Sequence, residues 1–461
     1  MPTLAITNPA TGKRVKTIPC DDAASVREKY RSAREAQPIW AAVPLAQRLK
    51  AIKSFRAAIV KHTEELARTL TTETGKPITQ ARNELKGLLP RMDFFLNETS
   101  AALRSETVWD DRKQNVVETI SHEPLGVIAN ISAWNYPYFV GSNVFVPALL
   151  AGNAVLYKPS EFATLTGLNI ARLLHESGVP KDVFAPLIGT GEVGSALLRQ
   201  PVDGVFFTGS VATGKKIARA MAGRMVKVQL ELGGKDPVYV CEDVDVVAAA
   251  AAIADGAFYN TGQSCCSVER VYVHQTIFDQ FAAAFVDNVN GFKIGDPLQD
   301  DTYIGPLTRA AQIGTLNAQV ADAKKKGARA LTNGKRMRAR KSGNYFAPTV
   351  LVNVNHRMAV MREESFGPII GLMAVRDDAQ ALELMNDTEY GLTAAVYTAN
   401  EKRARSILSR VNAGSAYWNC CDRVSPRLPW SGRKSSGIGL TLSREGIKAF
   451  TQPKAWHLRR A

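Results

Sequence analysis

Metal-ligand spacing is missing from this sequence. Its six cysteines (Cys20, Cys241, Cys265, Cys266, Cys420 and Cys421) contain no Cys-x-x-Cys, and its six histidines no His-x-x-x-His. This argues against a structural zinc site, and no metal is expected. Long apolar runs are missing too. The longest, Val246 to Ala257, is interrupted by Asp255 and is too short to cross a bilayer. Met1-Pro2-Thr3-Leu4 lacks the charged-then-apolar pattern of a secretory leader. Free thiols in a large chain fit a reducing compartment, so a cytoplasmic protein without membrane association is expected. The Gly-x-Gly-x-x-Gly phosphate fingerprint follows none of the candidate strands; Gly189-Thr190-Gly191 is a fragment of it. Internal repeats, flexible linkers and low-complexity tracts are absent, so domain boundaries must be tight.

What is there is a chain of 461 residues, too long for one hydrophobic core, which implies two to three domains. Hydrophobic residues make up 45% and charged residues 22%, an ordinary globular composition. The net charge of +15 is spread along the chain, with clumps at Lys324-Lys325-Lys326 and Arg336 to Lys341. Such clumps are usually solvated faces. Nucleic acid is therefore not an expected partner, and an anionic cofactor or substrate is the better beneficiary of the field. From Asp22 to Leu103 the apolar spacing is helical, with Asp21 or Asp22 as the first cap. From Val127 onward strands and helices alternate. The predicted strands are 127–131, 154–157, 183–188, 204–208 and 226–231, then 238–240 and 270–273. The helices between and after them are 164–177, 191–199, 214–223, 246–259 and 277–289. This is the rhythm of an α/β protein with doubly wound parallel sheets. Residues 327–347 read as a basic loop, and 414–439 as an irregular stretch of the kind that often carries function.

Two unusual clusters stand out. Phe258-Tyr259-Asn260-Thr261-Gly262-Gln263-Ser264-Cys265-Cys266 sets a thiol after a Gly-Gln turn. Leu230-Glu231-Leu232-Gly233-Gly234-Lys235 sets one carboxylate in an apolar run before two glycines. A nucleophile at Cys265 and a general base at Glu231 are one reading. A buried structural thiol and a salt-bridged carboxylate are the other. In Ile131-Ser132-Ala133-Trp134-Asn135-Tyr136-Pro137, the Asn135 amide follows a strand and could meet an oxyanion, or could simply form a turn. Lys158-Pro159-Ser160-Glu161 puts a cation and a carboxylate at a strand's carboxyl end, where open α/β sheets bind ligands. Glu161 there can accept both hydroxyls of an adenosine ribose and would repel a 2′-phosphate, favouring NAD over NADP; a surface ion pair is the plainer alternative. Phe206-Phe207-Thr208-Gly209-Ser210 opens a strand into a helix whose N–H groups could face a phosphate.

Taken in order with Glu364-Ser365-Phe366-Gly367-Pro368 and Pro429-Trp430-Ser431-Gly432-Arg433-Lys434-Ser435-Ser436-Gly437, these motifs resemble the NAD(P)-dependent aldehyde dehydrogenase superfamily across nearly the whole chain. The resemblance implies an aldehyde dehydrogenase-like α/β fold. It would have a Rossmann-type cofactor domain (residues 1–103 and 125–233) and an α/β catalytic domain (234–435). A small β oligomerisation element (104–124 and 436–461) would join subunits into a homodimer or homotetramer. It implies Cys265 as nucleophile, Asn135 and the Cys265 N–H as oxyanion donors, and Glu231 as the base that activates water. NAD, with NADP possible, would be held by Ile131, Ser132, Trp134, Lys158, Ser160, Glu161, Gly191, Phe207, Thr208, Gly209, Ser210, Leu232 and Gly233. Glu364 would hold the nicotinamide ribose and Phe366 would pack near the ring. One departure is Leu440-Thr441-Leu442, where many members have Arg-Glu-Leu, so a carboxylate is lost.

The aldehyde tunnel expected from the resemblance is lined by Tyr136, Phe139, Val140, Asn143, Ser264, Cys266, Trp430 and the loop Cys421-Asp422-Arg423-Val424. Arg423 and Arg427 in or beside that loop could pair with a substrate carboxylate, which favours an acidic semialdehyde such as succinate semialdehyde. Both arginines facing solvent or a neighbouring subunit is the competing reading. An amino-aldehyde or a plain aliphatic or aromatic aldehyde is the alternative substrate. A CoA-acylating enzyme is more remote, since Glu231 would waste the thioester, and so is a non-catalytic binding protein.

Overall fold

The structure is a computed structural model that describes residues 2–111, 113–332 and 343–459. The clump Arg336 to Lys341 lies outside the described residues. An antiparallel pair of strands, Thr3–Thr7 and Arg14–Pro19, precedes helices Ala23–Ala42, Leu45–Lys61, Thr63–Thr74 and Ile78–Ala102. The first helix is capped by Asp22, whose carboxylate accepts the N–H groups of Ala24 (3.0 Å) and Ser25 (2.8 Å) while Ser25 Oγ accepts that of Asp22 (2.9 Å). This reciprocal cap is worth about 1 kcal/mol.

A six-stranded sheet follows in the order Gly437–Ile438, Lys227–Glu231, Gly204–Thr208, Val127–Ile131, Ala154–Lys158, Phe184–Pro186. All neighbours are parallel except the first pair. Strand Val127–Ile131 is buried throughout, as a strand covered by helices on both faces must be. Chain order reverses between it and Gly204–Thr208, and the crevice beyond the carboxyl ends of that pair is where such sheets bind ligands. A second sheet has seven strands: Arg329–Ala330, Thr349–Val352, Ile369–Val375, Val268–His274, Asp236–Val240, Thr393–Tyr397 and Ser415–Trp418. Strands Thr451–Arg459, Val116–Pro124 and Glu106–Asp111 make an antiparallel three-stranded sheet. Among the described residues, no helix is long and apolar enough to cross a membrane.

Four local expectations change. The strand read over 183–188 is only Phe184–Pro186, because Val183 and Leu187 bond to the neighbouring strand outside the ladder. The helix read from Gly214 starts at Val211, since Ser210 caps it by accepting the Thr213 N–H (3.4 Å). Residues 329–330, inside the segment read as a loop, pair with Thr349–Val352. Ser415–Trp418, inside the irregular stretch, is a parallel edge strand; its alternation covers too few residues to read as a period.

Candidate active site

The carboxyl ends of the six-stranded sheet carry most of the expected residues. Ile131 is paired with both Lys158 and Phe207 in register, and Thr208 with Glu231. Trp134 packs edge-on against Phe366 at 5.5 Å and against Phe162 at 6.4 Å, which brings the motif around Glu364 to the first βα turn. Lys158 is buried, its ammonium donating to Pro159 O (3.0 Å) with Glu161 3.9 Å away. Burial lowers its pKa. Gly191 is exposed at the start of a helix whose Gly194 faces the Lys158 stem. Ser160 Oγ meets the Glu161 carboxylate at 3.4 Å.

These groups fit a dinucleotide. A buried ammonium and a half-buried carboxylate sit 3.9 Å apart at one strand end, a donor and an acceptor for a diol. Next to them the helix from Val211 opens with N–H groups free of intrahelical partners beside Gly209 and exposed Ser210. Glu364 completes the row. Its carboxylate accepts the Gly234 N–H (3.1 Å), and a Cβ on Gly233 would lie 2.2 Å from it. Burial pushes its pKa to about 8.

The Gly-Gly pair also explains how Glu231 meets Cys265. A Cβ on Gly234 would stand 2.9 Å from the Cys265 carbonyl oxygen, so only glycine lets the two motifs touch. Strand Gly437–Ile438 pairs with Glu231, Ser436 O accepts the Leu232 N–H (2.9 Å), and Ser436 Oγ donates to Gly233 O (2.7 Å). The Lys434-Ser435-Ser436-Gly437 motif thus holds the Glu231 strand end in place, a role its sequence does not announce.

The turn before the thiol is strained. Asn260, Thr261 and Gly262 all have positive φ (53°, 59° and 69°), and a Cβ on Gly262 would lie 2.5 Å from Gly367 O. Such backbone persists only when its surroundings over-determine it, and it clusters at functional sites. Here Gln263 Oε1 accepts the Thr308 N–H (3.0 Å) and its Nε2 donates to Asn260 O (3.1 Å). Asn260 Nδ2 donates to Asn135 O (3.3 Å), and Asn135 Nδ2 donates to Gln263 O (3.2 Å). Asn135 is therefore fixed beside the thiol loop with one amide N–H engaged.

Cys265 faces two spaces. One is a cavity of about 560 Å³ lined by Tyr136, Phe139, Val140, Asn143, Ser264, Cys266, Asp422, Arg423, Val424 and Trp430, among others. The other is a chamber of about 20 Å³ that Cys265 shares with Glu231, Thr208 and Thr441. Glu231 is buried, with Oε1 held by Gln229 Nε2 (2.9 Å) and Oε2 without a hydrogen-bond partner among the described residues. Burial, then the charge of Cys265, raises its pKa well above the carboxylate range. Cys266 is 5% exposed and donates to Asp422 Oδ1 (3.0 Å). Arg427 corrects an expectation: it is exposed on the turn beyond the loop and lines a separate surface depression with Glu98 and Arg444. Arg423 lines the cavity from an exposed position.

Three charged groups escaped the sequence reading. Lys76, ion-paired with Glu84, lies 3.7 Å from the Tyr136 ring centroid, and Glu84 accepts the Tyr138 N–H (2.9 Å). Arg91 reaches the cavity wall from the same helix as Glu84. Glu84, Leu88, Arg91 and Phe95 fall on one helical stripe, so charge inside an apolar stripe was the available signal. Behind the site, Lys235 Nζ meets Glu269 Oε2 (2.5 Å), and Glu269 also accepts the N–H groups of Ser365 (2.8 Å) and Phe366 (3.1 Å). Lys235→Met strands that buried carboxylate, and unfolding in denaturant is expected to show a loss of about 3–5 kcal/mol.

The Cys265 thiol thus stands between an open cavity and a buried carboxylate. The model of the aldehyde dehydrogenase family matches residues 2–456. A 3,6-anhydro-alpha-L-galactose dehydrogenase of Streptomyces coelicolor is 35% identical, over 100% of this chain and 94% of that protein. A Mycolicibacterium smegmatis protein provisionally named succinate-semialdehyde dehydrogenase (NADP+) is 34% identical, over 96% and 86%. The crystal structure of an NAD-dependent aldehyde dehydrogenase from Sinorhizobium meliloti superposes with a TM-score of 0.96 at 34% identity, covering 99% of this chain and 92% of that one. The chain belongs to the aldehyde dehydrogenase family, and its chemistry is NAD(P)-dependent oxidation of small aldehydes.

Proposed function

We propose that the protein oxidises an acidic semialdehyde, such as succinate semialdehyde, to the dicarboxylic acid through a covalent intermediate on Cys265. The Cys265 thiolate attacks the aldehyde carbon, and its oxyanion takes hydrogen bonds from Asn135 Nδ2 and the Cys265 N–H. NAD, or NADP, would supply the hydride acceptor needed for oxidation of the resulting thiohemiacetal to a thioester. Glu231 then takes a proton from water; the water oxygen bonds to the thioester carbon, the C–S bond breaks, and the thiolate is restored.

The observation that carries this reading is the position of Cys265 between the 560 Å³ cavity and the Glu231 chamber. Substrate enters on one side and water is activated on the other. Lys158 and Glu161 would bind the adenosine ribose, Gly209 and Ser210 the pyrophosphate, and Glu364 the second ribose. The half-buried Glu161 carboxylate favours NAD. The six-stranded and seven-stranded sheets would be the cofactor and catalytic domains. Exposed Trp109 (55%) and Leu458 (50%) on the three-stranded sheet support a homodimer or homotetramer joined through it. A cytoplasmic location agrees with six free thiols.

The acidic substrate is supported by Arg423 at the cavity and by the name of the Mycolicibacterium relative. The test is absorbance of reduced nicotinamide with NAD and NADP on succinate semialdehyde, butanal and an amino-aldehyde. NADH formation with release of free acid is expected. No reduced nucleotide on any aldehyde, or a product that forms only with CoA, contradicts the reading.

A further inference from the structure

Arg91 is 5% exposed in the wall of the cavity that holds Cys265. Its Nη1 donates to Asn143 Oδ1 (3.0 Å), and its Cζ lies 4.1 Å from the centroid of Phe139, a ring stacked on Tyr136. Among the described residues no carboxylate pairs with it. Glu84, two turns earlier on the same helix, is taken by Lys76. Asp422 and Asp255 line the same cavity, but Asp422 accepts from Cys266 (3.0 Å) and Asp255 from Tyr303 Oη (2.5 Å). Burial pulls the guanidinium down to about 10, which leaves it cationic at neutral pH. A desolvated charge held by one neutral amide and one ring is costly, and here it opens onto the space the substrate must fill.

We propose that Arg91, aimed by Asn143 and Phe139, is the receptor for a carboxylate carried by the aldehyde at the end away from its carbonyl. The guanidinium keeps donors for a paired contact with a planar anion. This assignment rests on Cys265 being the nucleophile and names the residue that reads the acidic group. Neither Arg423 nor Arg427 is enclosed in this way.

The test compares kcat/KM for succinate semialdehyde and butanal, which share a chain length. The wild type is expected to prefer the acid by about 100-fold or more. Arg91→Met lowers that ratio by about 100-fold, chiefly through KM for the acid, and Arg91→Lys retains part of it. Succinate competes with butanal on the wild type, a readout that needs no variant. Equal use of both aldehydes by the wild type, no competition by succinate, or an equal loss on both aldehydes in Arg91→Met overturns the assignment. An enzyme that oxidises neither aldehyde fails the proposed function instead.

Glu231 Oε2 and Thr441 Oγ1 are both sealed from solvent without a hydrogen-bond partner among the described residues, and both line the space of about 20 Å³ beside Cys265. That is room for about one water, which needs polar partners to stay. We infer that the Thr441 hydroxyl is a positioning group for the hydrolytic water. Glu231 takes the proton while Thr441 holds the oxygen on line with the thioester carbon. Decay of the acyl-enzyme, followed by quenching and intact mass, is expected to slow about 30-fold in Thr441→Val, or in Thr441→Ala should valine fail to fold. Thr441→Ser, which keeps the hydroxyl, stays within about 3-fold. Wild-type decay in the valine and alanine variants, or serine as slow as either, overturns the inference.

Discussion

Cys265→Ala is expected to lower kcat/KM by roughly 10⁴- to 10⁶-fold on every aldehyde, the scale seen when a covalent nucleophile is removed. The adjacent thiol cannot take over. Cys266 is 5% exposed, its thiol is already committed to Asp422 at 3.0 Å, and its contact with Cys265, then burial and the charge of Asp422, push its pKa well up. The other four cysteines lie outside both spaces that meet at Cys265. Unfolding should change little, since Cys265 is half-buried and alanine removes one sulfur. Steady-state rates together with a thermal melt check this; a Cys265→Ala protein that turns over within about 10-fold of wild type refutes the nucleophile.

Glu231→Gln has the second largest effect. The substitution keeps shape and the Gln229 contact but removes the only carboxylate that lines the chamber among the described residues. Acylation of Cys265 continues, hydrolysis stalls, and steady-state kcat falls by roughly 10²- to 10⁴-fold. Burial and the charge of Cys265 raise the Glu231 pKa, so its basic form grows as pH rises. Thioester hydrolysis in the wild type therefore accelerates with pH until Glu231 is ionised and then levels off. In Glu231→Gln that titration disappears. Single-turnover decay rates across pH measure both statements.

Much of this was legible in the sequence because chemistry imposed unusual residues on local structure. Glu231 in an apolar strand before two glycines and Cys265 after Gly262-Gln263 violate ordinary patterning, and both prove to be contact points between distant loops. The alternation of strands and helices from Val127 gave the parallel sheets their order of appearance. Side-chain destinations were less legible. Arg427 sits four residues from Arg423 in a loop without periodicity, and only the turn between them decides that one lines the cavity and the other a surface depression. Arg91 and Glu84 were hidden in a helix of core spacing, where the partner of a buried charge comes from a different segment. Ser436 acts through hydrogen bonds to Leu232 and Gly233, two hundred residues away in sequence, which no local pattern encodes.

The most direct measurement is the mass of Glu231→Gln after brief exposure to aldehyde and NAD. An adduct equal to the aldehyde less two hydrogens, mapped to Cys265, is expected, with about one NADH released per chain. No adduct, or an adduct on Cys266 or another cysteine, would contradict it.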